Sequence, residues 1–168
     1  MLKHKNEALE KLKEWITLMM NQTDKKIKKL RTNNGLEYCS RDFEVFCKSK
    51  GIARHRTITY TPQQNGLGGR MNKTLTERVI CMLLNTGLFK GFWAKAVTTA
   101  TYLINISPSS ILSFKTPQEI WSRKPLDLSN LRIFGCPAYA HVKQGKFEAR
   151  AIKGYFMGYL EDTKGYKI

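Results

Sequence analysis

At 168 residues the chain has room for one ordinary domain plus a small appendage, and a domain of that length can bury most of its unfolded surface. With 42% hydrophobic and 11% aromatic residues it has the composition of a globular protein, which excludes a disordered tail. Its 29 Lys and Arg against 13 Asp and Glu leave a formal net charge of +16, a surface that attracts polyanions, nucleic acid first among them.

From residue 4 to 22 the apolar positions Leu9, Leu12, Ile16 and Met19 recur at helical spacing among Lys and Glu, predicting an amphipathic helix that needs a partner surface. The segment Lys26–Thr32 reads as a strand around Ile27 and Leu30, closed by the turn signal Asn33-Asn34-Gly35. Ser40 can cap a helix through Lys50 that carries Phe43, Phe46 and Cys47 inward, and Gly51 ends it. A second strand, Arg54 to Thr59, follows; the order helix, strand, helix, strand implies a right-handed crossover and two parallel strands.

Tyr60-Thr61-Pro62-Gln63-Gln64-Asn65-Gly66 predicts a turn or mobile loop rather than regular structure. A long helix is expected over 68–86, with Met71, Leu75, Val79 and Met82 inward and its first turn weakened by Gly68 and Gly69. Another, 91–106, presents Trp93, Ala96, Val97, Ala100, Leu103 and Ile104 as a broad, deeply packed face. Thr116 and Pro117 open a short helix over Gln118 to Arg123. Beyond Leu131 the runs 132–134, 138–142, 154–159 and 165–168 are β-like and suggest a small barrel or part of one. The link 124–130 marks the boundary, giving domains of 1–125 and 126–168.

Cys39, Cys47, Cys81 and Cys136 have no zinc-type spacing and read as buried thiols of a reducing compartment. No apolar run approaches a membrane span and the N-terminus has no signal-peptide pattern, so the expected location is intracellular, nucleus or cytoplasm, with no membrane partner.

Taken in order, Leu30-Arg31-Thr32-Asn33-Asn34-Gly35-Leu36-Glu37-Tyr38, Tyr60-Thr61-Pro62-Gln63-Gln64-Asn65-Gly66, Phe92-Trp93, Tyr102-Leu103 and Phe134-Gly135-Cys136 resemble the running signature of copia-type retrotransposon integrases over residues 5–168. The resemblance implies an α/β, RNase H-like integrase core followed by an SH3-like barrel. It also implies the joining of element DNA ends to target DNA by phosphoryl transfer on two Mg2+ or Mn2+ ions, about 3.5–4 Å apart and held by carboxylates. Such a core has three strands before its first helix; here they are missing, and the closing barrel is incomplete, so the expectation is a truncated core.

The family's carboxylates are two aspartates and a glutamate, with thirty-five residues between the second aspartate and the glutamate. The corresponding positions here are Asn33 and Gly69, separated by the thirty-five residues 34–68. The frame is intact and both acids are gone; the first aspartate would belong to a strand before Met1. No intact catalytic residue, no metal ligand set and no cofactor is therefore expected. Glu37 and Asp42 read as surface or capping groups, and His4, His55 and His141 are dispersed.

DNA contact can survive such a loss. Gly69, Asn72, Lys73 and Thr76 share the helix face opposite Met71, Leu75 and Met82. By resemblance this helix and the loop before it approach the DNA end, making Gln63, Gln64, Asn65, Asn72 and Lys73 candidate contacts, with a plainly solvated loop and face as the competing reading. Three roles compete: an inactive integrase-derived domain with mostly nonspecific nucleic-acid binding, an assembly subunit that forms homo-oligomers or joins intact integrase, and a decayed reading frame without function.

Overall fold

The computed structural model describes residues 4, 7–35, 38–58, 61–142, 145, 149–160 and 165–168. They form two compact units, Met1–Met71 and Asn72–Ile168.

In the first unit, α1 (Ala8–Thr23) is a surface helix whose charged face is laced by Lys11–Glu14 and Lys13–Glu10 pairs at 2.6 and 2.8 Å. It stops where Asp24 turns left-handed. The strand β1 (Lys29–Thr32) is followed by α2 (Arg41–Ser49), whose N-cap Ser40 accepts a hydrogen bond from the Phe43 amide at 3.3 Å. Gly51, at φ +66°, makes the left-handed turn that lets the chain double back into β2 (Ala53–Arg56). β1 and β2 pair in parallel, as the alternation of helices and strands requires. The core of this unit is Ile16, Phe43, Cys47 and Ile52, with Leu9, Leu12, Met20, Ile27 and Leu30 packed around it.

Several expectations change. Both strands are shorter than predicted, 29–32 and 53–56. The stretch expected to be irregular contains a 3-10 turn, Pro62–Asn65, that leads directly into α3 (Gly66–Thr86). A proline near the start of that turn has the φ the turn needs and no amide proton to lose. Thr59, Tyr60, Leu36 and Glu37 lie outside the described residues.

In the second unit α3 continues, followed by α4 (Trp93–Asn105) and α5 (Pro117–Ser122). Thr116 and Glu119 form a reciprocal capping box at the start of α5. The core here is Val79, Ala96, Ala100 and Phe134, with Leu75, Met82, Leu83 and Met157 against it. Two apolar residues do not go inward as expected: Trp93 is 53% exposed and Met71, in the first unit, is 47% exposed. Helical phase places a side chain on a face, but only a neighbouring element covers it.

The strands are β3 (Pro137–His141), β4 (Ala151–Tyr155), β5 (Gly158–Tyr159) and β6 (Tyr166–Lys167). They make two antiparallel two-stranded ladders, β3–β4 and β5–β6, and no closed barrel among the described residues. Residues 132–134, expected as a strand, are a loop and turn that feed Phe134 into the core. Gly158 sits at φ +142° with Thr99 so close that a Cβ would stand 2.7 Å from its Oγ1. That approach lets the Thr99 hydroxyl donate to the Met157 carbonyl at 3.1 Å. Of the four cysteines only Cys47 is buried; Cys39 and Cys81 are exposed, Cys136 is intermediate, and all are free.

Candidate nucleic-acid interface

The carboxyl ends of β1 and β2 open onto two loops, the place where open parallel sheets commonly bind ligands. Asn33 follows β1 directly, and its Oδ1 accepts a hydrogen bond from the Gly35 amide at 3.2 Å. Asn34 donates through Nδ2 to the Thr57 carbonyl at 3.0 Å, tying the turn after β1 to the end of β2. The Asn-Asn-Gly signal thus marks a turn held by its own side chains.

The second loop is also anchored. The Ile58 amide donates to Gln64 Oε1 at 2.9 Å, and Arg31 Nη1 donates to the Gln64 carbonyl at 3.4 Å. Gln64 is half-buried and its side-chain oxygen faces its own chain; Asn65 is half-buried as well, whereas Gln63 is exposed. Gly69, in the second turn of α3, is exposed, and a Cβ placed there would meet nothing within 4 Å.

In the second unit Asn72, Lys73 and Thr76 are all exposed along α3. Lys73 lies 3.8 Å from Glu77, and both side chains are well exposed, so the pair holds the ammonium weakly. Thr76 returns its hydroxyl to the Asn72 carbonyl at 2.8 Å. Gln64 therefore braces the loop, while Gln63, Asn72 and Lys73 are the candidate contacts with groups turned to solvent.

Sequence reasoning missed the basic side chains at the strand ends. Arg31 pairs in register with His55, and Thr32 with Arg56; Arg31, His55 and Arg56 are all exposed. The signal was the run Arg54-His55-Arg56, whose alternation sends His55 to one face of the pair and Arg54, with Arg56, to the other. There Arg54 lies over the Phe43 ring, 4.6 Å from its centroid, and donates through Nη2 to the Tyr38 carbonyl. Its Nε and Nη1 are buried with no hydrogen-bond partner among the described residues. Among the described residues no group of three His, Cys, Asp or Glu is placed to hold a metal ion.

Residues 136–168 match the retroviral polymerase SH3-like domain family. Over 170 residues, 99% of this chain, the sequence is 42% identical to the retrovirus-related Pol polyprotein from transposon TNT 1-94 of Nicotiana tabacum. The chain belongs to the retrovirus-related Pol polyproteins of copia-type transposons. It spans 13% of that polyprotein's length.

Within this Pol family the segment is integrase-like, and solved structures give its fold. A chain of the simian T-cell lymphotropic virus intasome, solved in complex with PP2A regulatory subunit B56 gamma, superposes with a TM-score of 0.56 at 20% identity, covering 92% of this chain and 54% of that one. The HTLV-2 integrase catalytic core domain, in complex with magnesium in a dimeric form, gives 0.50 at 21% identity, covering 71% and 70%. At such identities the likeness is one of fold: an RNase H-like integrase core with an SH3-like part. β1, β2 and the helices around them are its α/β portion.

Proposed function

We propose that this chain is a DNA-binding, integrase-like domain that does not itself catalyse strand transfer. In this reading residues 1–125 are the core, 126–168 the SH3-like part, and the protein works inside the cell, in nucleus or cytoplasm. The observation that carries it is the chemistry at the ends of β1 and β2. This surface offers exposed basic and amide side chains, Arg31, Arg56, His55 and Gln63, where a metal-dependent enzyme needs carboxylates.

Divalent magnesium or manganese takes anionic oxygens held in a fixed array. Asn33 has a neutral amide whose oxygen already accepts from Gly35, and Gly69 has no side chain at all. These residues do not suit the pair of ions that the resemblance implies. Losing a metal clamp on the order of 4 kcal/mol corresponds to roughly a thousandfold in rate, so no end-joining is expected. Phosphate attraction needs only cations, and the surplus of Lys and Arg supplies them.

The test is fluorescence anisotropy with a labelled random-sequence DNA duplex across a salt series, beside a strand-transfer assay with magnesium or manganese. Binding that weakens linearly in log salt, little affected by sequence, with no joined product, supports the reading. Absence of binding even at low salt removes the DNA part, and a joined product removes the inactive part.

One observation favours a second role, assembly with further copies or with intact integrase. Leu84, Phe89 and Trp93 are exposed in the second unit, and apolar side chains left to water favour association. Light scattering that reports a monomer at all concentrations, with no co-purification of a complete integrase, would count against it.

A further inference from the structure

The β3–β4 ladder has two faces of different character. On one, Ala138, Ala140 and Gly154 are half-buried, and Ile168 lies so close to Gly154 that a Cβ there would stand 2.4 Å from its Cγ2. The other face carries Pro137, Tyr139 and His141 from β3 and Lys153 and Tyr155 from β4, all exposed. Pro137 stands opposite Tyr155 and Tyr139 opposite Lys153. The two tyrosines are thus diagonal neighbours on one side of the ladder, their Cβ atoms roughly 7 Å apart.

The same unit shows what aromatic residues look like when the fold uses them. Tyr102 stacks on Tyr159 with centroids 4.1 Å apart, and Phe156 meets Tyr159 and Tyr166 edge-on at 5.1 and 5.5 Å. The hydroxyls of that cluster are engaged too: Tyr159 accepts from the Arg132 amide and Tyr166 donates to the Asn130 carbonyl, each at 3.0 Å. Tyr139 and Tyr155 have neither kind of contact among the described residues, and they are 64% and 46% exposed. They do not touch each other as a cross-strand pair that merely stiffens a hairpin would. Both rings are thus partly open to solvent.

Charge selects the partner. Lys153 stands directly across from Tyr139. Arg150, also exposed, directly precedes β4. Exposed aromatic rings beside cations are the chemistry that holds unpaired bases: each ring stacks on a base of any identity while the cations attract the backbone. A base-paired duplex keeps its bases stacked on one another and offers these rings nothing.

We propose that the Tyr139–Tyr155 face of the β3–β4 ladder is a stacking platform for single-stranded nucleic acid. It is a different surface from the strand-end interface and shares with that reading only the class of partner. It adds a preference for unpaired bases.

The experiment compares the whole chain's affinity for a labelled dT 20-mer with that for an abasic 20-mer of the same length and charge. The dT strand should bind about tenfold tighter or more, because only it has bases to stack. Tyr139→Val with Tyr155→Val, which replaces them by β-branched residues that also favour strands, should bring the two affinities within about twofold of each other. Tyr139→Phe with Tyr155→Phe should keep the preference. Equal binding of both strands by the unaltered chain overturns the proposal without any variant, and would leave the face to a polypeptide partner. Retention of the preference by the valine variant, shown folded by circular dichroism, overturns it as well. Loss of duplex binding with the dT preference intact would remove the strand-end reading alone.

Discussion

Replacing Asn33 by Asp and Gly69 by Glu puts carboxylates at the two positions that the integrase resemblance assigns to them, and the structure gives the consequences separately for stability and for chemistry. Position 69 can take the side chain, since nothing lies within 4 Å of a Cβ there and its backbone is helical. A glycine inside a helix costs about 1 kcal/mol relative to a good helix former. An acid in the first turns adds a few tenths more by facing the positive end of the helix dipole. At position 33 an Asp oxygen can still accept the Gly35 amide, so the turn survives. The double variant is therefore expected to gain about 1 kcal/mol, or about 2–4 °C in Tm for a chain of this size. Scanning calorimetry measures that gain. In a strand-transfer assay with manganese the same protein should yield no joined product, because the natural chain holds no metal-ready group of three His, Cys, Asp or Glu among the described residues and two added carboxylates are fewer than a pair of divalent ions needs. Joined product above background would refute the coordination argument, and an unchanged or lower Tm would refute the helix argument.

Three further outcomes are expected. Arg54 is a guanidinium with two buried nitrogens that have no hydrogen-bond partner among the described residues; Arg54→Leu should leave stability unchanged or raise it, since apolar replacement of a poorly compensated buried charge is often neutral or favourable, and a loss above about 2 kcal/mol in urea unfolding would show that the contact with Phe43 dominates. Glu119 is held below the usual carboxylate range, first by the Thr116 amide and then by its hydroxyl. A lowered folded pKa stabilises above the unfolded value and is lost as pH falls through the folded one. The stability gap between the natural chain and Glu119→Ala should then be widest near neutrality and narrow in acid; a gap independent of pH would contradict the capping box. A thiol reagent should label Cys39 and Cys81 rapidly and Cys47 slowly, because Cys47 is buried and its thiol is raised in pKa by desolvation; mass spectrometry of the labelled peptides reads the order directly.

The parts of this molecule that depend on neighbours in sequence were legible from the sequence alone. Ser40 and Thr116 cap helices because a cap is a hydrogen bond to an amide three residues on. The apolar period of α1 placed Ile16 in the core, and the order of elements required β1 and β2 to run parallel. The integrase resemblance rested on short motifs in order, and the match to Pol polyproteins bears it out. What depends on residues far apart was not legible. Whether Gln64 reaches for DNA or clamps Ile58, and whether Trp93 is covered, is set by which surface packs there. Arg54 and Arg56, two residues apart on the same side of the pair, differ in what packs against them, one lying over Phe43 and the other in water. A sequence specifies the periods of its helices and strands, but a face becomes interior or surface only when the rest of the chain arrives, since burial is a property of pairs of elements and not of one.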